Sequence, residues 1–342
     1  MNIVFKIILC RFALFSFALT ALLSISPLSA GELPGEGKTV IPVDDQMIEG
    51  MFQTRVLTIA LEKLGYEIDD IQHLTVPAGM TAISQGEGHF TACNWTPNQQ
   101  GVYEKAGGDE TMQQVGVIVR NATQGYLIDM KTAEKYNITN IERMKDPEIS
   151  ALFDTDNDGK ANLAGCPPGW GCETVINHHI KAYGLEDSVE HDQGDFSVLA
   201  SDVLARFREG KPVFYYTYTP LWFSEYVAPG KDARWLEVPH TDLPSGLTGD
   251  EVNTKLPDGR NVGFGLQNIM TTANKAWLEE NPAAHRLLEV AELPITAVNA
   301  QNRRVYEGEK KETDIYKHAE EWIANNQETF DHWIAEAMKA TQ

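Results

Sequence analysis

The sequence is short of basic side chains, with 28 Lys and Arg against 49 Asp and Glu, for a formal charge of −21 at pH 7. Such a chain lacks the clustered cations that neutralise phosphates, which excludes nucleic acid as a partner. Adhesion to anionic lipid is excluded for the same reason. The signatures of common enzyme chemistries are missing as well. There is no Gly-x-Ser-x-Gly elbow, no His-Glu-x-x-His pair, no Gly-x-x-x-x-Gly-Lys-Ser/Thr loop and no Gly-x-Gly-x-x-Gly after a strand. The nine His residues fall at no metal-ligand spacing, and the adjacent His178 and His179 point different ways on a helix. Repeats and low-complexity tracts are absent. The composition, 42% hydrophobic and 23% charged, is that of a globular protein with a full core. What remains is an acidic protein that binds something small.

Only one long apolar run is present, Phe12 to Ile25, preceded by Lys6 and Arg11 and followed by Pro27-Leu28-Ser29-Ala30. Basic, apolar and small-residue regions in that order predict a secretory signal peptide over 1–30, cut after Ala30. The run falls short of the roughly 20 residues a bilayer-spanning helix needs. Ile7-Ile8-Leu9-Cys10 looks like a lipid-attachment box but precedes the apolar region, so no lipid anchor is expected. The mature chain is expected to begin at Gly31, soluble and exported to the periplasm.

Cysteine is scarce, four residues in all. Cys10 falls in the signal segment. In an oxidising compartment the close pair Cys166 and Cys172 is the natural disulfide. A zinc finger would need ligands that are not there. So short a loop gains only roughly 2 kcal/mol from chain entropy, so its expected role is to fix one loop shape. Cys93, in Thr-Ala-Cys-Asn-Trp, reads as a buried thiol.

Strand-like and helix-like segments alternate. Strands are expected at 38–43, 66–71, 89–95, 115–119, 126–130, 213–217 and 263–271. Helices are expected at 47–64, 80–85, 173–183 and 196–209, with one opening at 141–145 and more helix from 274 to 339. Residues 229–260 read as polar loop. This alternation predicts an α/β protein with parallel or mixed sheets, more naturally two sheets than one at this length.

Three aromatic segments stand out. Asn94-Trp95-Thr96-Pro97 ends one strand, and Tyr215-Tyr216-Thr217-Tyr218-Thr219-Pro220 ends another. Gly169-Trp170-Gly171-Cys172 opens a helix. Ligands of open α/β sheets sit at such strand ends and helix N-termini. Trp235, Trp277, Trp322 and Trp333 read as core, but a Trp between two glycines in a disulfide-tied loop does not. The N–H groups of Gly171 and Cys172 make an anion seat. Aromatic faces beside an anion seat define a ligand: a quaternary ammonium, held by π faces at roughly 0.5–2 kcal/mol each, carrying a carboxylate bound at a helix N-terminus. Such a zwitterion has no net charge for the acidic protein to repel.

With these residues in view, the chain resembles the periplasmic glycine betaine/proline betaine-binding proteins of ProU-type ABC importers, the OpuAC family. The resemblance runs from Glu32-Leu33-Pro34-Gly35 through Ala60-Leu61-Glu62-Lys63-Leu64-Gly65-Tyr66, Gln124-Gly125-Tyr126-Leu127-Ile128-Asp129 and Pro168 to Glu173. It continues in Gly210 to Thr217 and ends near Ala273-Asn274-Lys275-Ala276-Trp277. It implies a two-lobed type II binding-protein fold, with hinge-linked α/β lobes closing on a ligand cleft. Lobe 1 is expected at 31–122 plus 262–342, and lobe 2 at 123–261. In the family three tryptophans box the trimethylammonium group. Two fall on Trp95 and Trp170, and the third falls on Tyr218, a weaker π face with an added hydroxyl. The family histidine on the ligand carboxylate falls on Gln99, which donates only a neutral hydrogen bond.

Asp154-Thr155-Asp156-Asn157-Asp158-Gly159-Lys160-Ala161-Asn162 matches the first half of a calcium loop, with Asn162 at the ninth position. Gly165 stands where the bidentate Glu belongs. The loop reads equally as a solvated acidic turn or as a weak structural Ca²⁺ site, and no other cofactor is expected. The expected function is a monomeric binding protein, not an enzyme. It captures glycine betaine or proline betaine and delivers it to the permease and ATPase of an ABC importer. Choline, carnitine or a sulfonium analogue is the alternative ligand, and an exported enzyme acting on such ligands is the alternative class.

Overall fold

A computed structural model describes residues 33–45, 50–168, 170–245, 247 and 252–341. The expected signal segment 1–30, Gly31, Glu32, the first residues of the helix expected at 47–64, and Gly169 lie outside the described residues. Two short strands, β1 (Thr39–Val40) and β2 (Val43–Asp44), lead to helix α1 (Met51–Lys63). Leu64 closes α1, and Gly65 then turns the chain at φ +93°, where a Cβ would press on Leu33. The strand expected at 66–71 is instead two pairs, β3 (Glu67–Ile68) on β1 and β4 (Gln72–His73) on β2, both parallel. Next come α2 (Val76–Gln85), β5 (Phe90–Thr96) and α3 (Gln100–Ala106).

The two strands expected at 115–119 and 126–130 are one 18-residue strand, β6 (Met112–Asp129). The polar residues Arg120, Asn121, Thr123 and Gln124 break the apolar pattern without breaking the strand. Gln124 is buried, and its Oε1 accepts the Tyr216 hydroxyl at 2.7 Å. Beyond β6 lie α4 (Met130–Lys135), α5 (Pro147–Ser150), β7 (Ala161–Ala164), α6 (Gly171–Ala182), β8 (Val189–Asp192), α7 (Phe196–Arg208) and β9 (Phe214–Thr219). The stretch read as loop holds β10 (Ala233–Trp235). Then β11 (Gln267–Asn274) leads into α8 (Lys275–Glu280), α9 (Pro282–Val290), α10 (Ile295–Tyr306), α11 (Glu312–Asn325) and α12 (Gln327–Lys339).

The principal sheet runs β5-β11-β6-β9-β7-β8, with β10 on β6. Up to Ala122, β6 pairs antiparallel with β11, and from Thr123 it pairs antiparallel with β9. Strands β7 and β8 are parallel to each other and β7 to β9. Buried apolar side chains form two large clusters. One draws on residues 40–122 and 269–337, the other on residues 126–264. Trp235, Trp277 and Trp333 are buried in them as expected, and Trp322 stacks on Trp333 at 5.8 Å. Among the described residues no helix is long and apolar enough to cross a membrane.

The two helical histidines do diverge. His178 is half-exposed and bonded to Asp242, whereas His179 is fully buried. The Tyr126 hydroxyl meets its Nδ1 at 2.9 Å, and the Tyr183 and Phe264 rings stand 4.9 and 5.3 Å away. Burial, helped by the neighbouring His178, lowers the His179 pKa from 6.5 to about 4. A depressed base favours the folded state when neutral. That stability is complete above pH 6.5 and is lost as pH falls toward 4, a change of about 3 kcal/mol. His179→Gln keeps an acceptor for Tyr126 but does not titrate. Its urea-unfolding free energy should fall less steeply than wild type between pH 7 and 4, and equal slopes would refute the assignment.

Candidate functional site

The three aromatic segments converge. Trp95 stands at the end of β5 opposite Ile269 of β11, half-buried and packed against both large clusters. Tyr218 pairs with Gln124 across β9 and β6. Its ring meets Trp95 at 5.8 Å with planes at 90°, and meets Trp170 at 6.1 Å and 62°. Trp170 precedes the first residue of α6, with extended backbone. Both strand ends leave through cis peptide bonds, Thr96-Pro97 and Thr219-Pro220.

Gly171 and Cys172 are the first two residues of α6, so neither N–H has an intrahelical acceptor. The helix adds its positive end at the same place. The Cys166–Cys172 disulfide is formed, with Cα atoms 6.4 Å apart and both residues buried, so it ties the preceding loop to this first turn. Two π-faced indoles, a phenol and a helix N-terminus thus face one small region. Such a region accommodates a soft cation and an anion together.

The family model for the substrate-binding domain of ABC-type glycine betaine transport systems matches residues 38–325. The chain belongs to this family. It is 47% identical over 327 residues to the glycine betaine/proline betaine-binding periplasmic protein of Escherichia coli strain K12, covering 96% of this chain and 98% of that one. Identity to the glycine betaine-binding periplasmic protein OusX of Dickeya dadantii is 46%, with the same coverage. Lactococcal OpuAC, closed and complexed with glycine betaine, matches at a TM-score of 0.62 with 19% identity, over 87% of this chain and 99% of that one. An ABC-transporter choline-binding protein in complex with choline matches at 0.63 with 17% identity, over 88% and 96%. These likenesses show the fold, the two-lobed type II periplasmic binding protein.

Within that family frame, Gln99 sits at the start of α3 with its side chain folded back. Its Oε1 accepts the Trp95 N–H at 3.1 Å, and its backbone N–H bonds the Trp95 carbonyl at 2.7 Å. Gln99 lines a small pocket with Asp44, Asp45 and Cys93. Cys93 is a buried free thiol, as expected. Burial pushes the Asp44 carboxyl up to about 7, against hydrogen bonds from Thr54 and Cys93 that lower it.

Two residues escaped the sequence reading. Phe196, at the start of α7, stacks under Trp170 at 5.9 Å and 17° and touches Tyr218 at 5.1 Å. It therefore sets the angle between them. The signal was available in Asp195, whose carboxylate caps α7 and fixes where the helix begins. Asn98 is the second. A methyl group on Gly171 would stand 3.7 Å from Asn98 Cγ and Nδ2, which brings this carboxamide to the seat at the head of α6.

The acidic loop gathers carboxylate oxygens of Asp154, Asp156 and Asp158 within 4.8 Å of one another. Asp154 accepts the N–H groups of Asn157 and Gly159, and Asp158 accepts that of Lys160. Asn162, read as a fourth ligand, points elsewhere. Its Oδ1 accepts from the Thr155 N–H and hydroxyl at 2.7 and 3.0 Å, and its Nδ2 donates to Asp192. The local turn satisfies it before any ion could. The three aspartates are the side chains that would hold Ca²⁺ here.

Phe196 is 6% exposed, so Phe196→Ala should cost about 3–5 kcal/mol in urea unfolding, the range for truncating a buried phenylalanine. A loss below 1 kcal/mol would show that Phe196 does not support the two rings.

Proposed function

We propose that this chain captures glycine betaine or a close quaternary-ammonium zwitterion such as proline betaine and delivers it to the permease and ATPase of an ABC importer. The observation that carries the reading is the convergence of Trp95, Trp170 and Tyr218 beside the N-terminus of α6. A trimethylammonium group has no N–H to donate, so it is held by π faces and by its own apolar surface. The Gly171 and Cys172 N–H groups take the carboxylate, with the Asn98 amide as a further donor, while Gln99 acts through its hold on the Trp95 N–H. The family comprises substrate-binding domains and the relatives are transport binding proteins, so the chain is not an enzyme.

We place lobe 1 at 31–122 plus 262–342 and lobe 2 at 123–261. Supporting this, β6 changes pairing partner between Ala122 and Thr123, and the two cores divide near the same boundaries. The ligand then lies where the lobes meet and is released when they part. The relatives are periplasmic, and with the apolar segment at 12–25 this favours an exported protein.

Calorimetry tests the box. Trp170→Ala should weaken glycine betaine binding more than tenfold, about 1.4 kcal/mol, whereas Trp322→Ala should bind like wild type. Equal losses in both would remove the box assignment. Dimethylglycine should bind more weakly than glycine betaine, because its N–H gains nothing from π faces and stays hydrated in water.

The disulfide gives a second test. Reduction of Cys166–Cys172 frees the first turn of α6, so affinity should fall in protein that circular dichroism shows still folded. Unchanged affinity in the fully reduced, folded protein would make the bond purely structural.

A further inference from the structure

Next to the box lies a group of side chains that ligand capture does not use. Asp44 ends β2, Asp45 follows it, and Cys93 stands two residues before Trp95 on β5. One oxygen of each carboxylate and the Cys93 sulfur lie within 4.8 Å of one another. They border a cavity of about 20 Å³ that Thr91, Met80 and Gln99 also line, which is room for one water-sized species. Asp44 is 1% exposed. Its Oδ1 accepts the Thr54 hydroxyl at 3.0 Å and the Cys93 thiol at 3.6 Å. Its Oδ2 is equally buried and has no hydrogen-bond partner among the described residues.

A buried carboxylate oxygen without a donor is costly, and a second carboxylate and a thiol beside it raise that cost. The N-terminus of α1 stands alongside, with Gly50 against the Cys93 sulfur, but a helix end offsets only about half a charge. Arg55, whose charge reaches Asp44, is already paired with Glu312.

We propose that Asp44, Asp45 and Cys93 form a site for a divalent transition-metal ion of the zinc type. A thiol among the donors selects a borderline ion over Mg²⁺ or Ca²⁺, which prefer oxygen alone. Binding displaces the Cys93 S–H proton, and any proton held on the Asp44 carboxyl, to solvent and leaves a thiolate and carboxylates on the metal. Three protein ligands leave one tetrahedral position for a further donor. The site shares a wall with the box, because Gln99 lines the cavity and holds the Trp95 N–H. An ion here would stiffen the footing of Trp95. The proposal does not depend on which ligand the box takes.

The test uses chelator-treated protein with its disulfide intact. Co²⁺ should bind at one equivalent and give a thiolate-to-cobalt charge-transfer band, and Zn²⁺ should abolish that band by displacement. Cys93→Ala should lose the band and bind Zn²⁺ roughly 100-fold more weakly, and Asp44→Asn should weaken it comparably. Far-ultraviolet circular dichroism checks the fold of both variants. If either fails to fold, alkylation of wild-type Cys93 by iodoacetamide decides, with Zn²⁺ expected to slow it about tenfold. The proposal is overturned by absence of the band, by Zn²⁺ affinity unchanged in folded Cys93→Ala, or by alkylation that ignores Zn²⁺.

Discussion

The structure depends on one strand serving two cores. Most strands belong to one hydrophobic cluster, but β6 gives Ile118, Val119 and Ala122 to the first and Tyr126, Leu127 and Ile128 to the second. Its register is therefore fixed from both ends. A one-residue slip would misplace buried side chains in both clusters at once. The middle of β6 must stay hydrogen-bonded while its apolar pattern lapses. Gln124 does this by taking the Tyr216 hydroxyl inside the second cluster. Asn121 takes up a positive φ of 57° where the pairing changes hands, a conformation that Asn tolerates better than most residues.

That fixed crossing positions the box. Ile269 of β11 lies opposite both Trp95 on β5 and Val119 on β6, and Tyr218 lies opposite Gln124 a few residues along the same strand. Two of the three rings are thus set by sheet register rather than by loop conformation. The third, Trp170, comes from a loop, and the chain secures it by other means: a disulfide behind it and the Phe196 ring beneath it. Weak π contacts bind well only when rings need no rearrangement to meet the ligand. The Tyr in place of the family Trp fits the same logic. Tyr218 is 9% exposed and contacts Trp95, Trp170 and Phe196 together.

Much of this was legible in the sequence, and the failures have physical causes. The helices α6 and α7 show clear apolar periodicity, because each buries one stripe, and together with α1, which is buried nearly all round, they were found within a few residues of their ends. The short strands β7, β8 and β10 were missed, since three or four residues are too few to display alternation and the chain around them is polar. The single strand β6 was read as two, because a hydropathy pattern reports burial and not hydrogen bonding. The box could be read because Trp, Gly and Pro mark strand ends and tight turns. Phe196 was missed because the Asp195 cap marks where α7 begins but not that the phenylalanine it sets there lies under a binding site rather than in the core.

The loop after Trp95 shows the sharpest limit of reading by alignment alone. Equivalence to the family histidine fell on Gln99, four residues past the tryptophan, and it is natural to expect that side chain to point at the ligand. In the structure the first bond Gln99 makes is local, from the Trp95 N–H to its own Oε1. Glutamine has an acceptor that a protonated imidazole lacks, so the exchange gives the loop a new internal tie. The adjacent Asn98 has its backbone N–H held by Gln267 at 3.0 Å, which directs its carboxamide toward Gly171. The polar work at the head of α6 is thereby divided between neighbours. One amide anchors the tryptophan from below, and the other faces the helix N-terminus across the cleft.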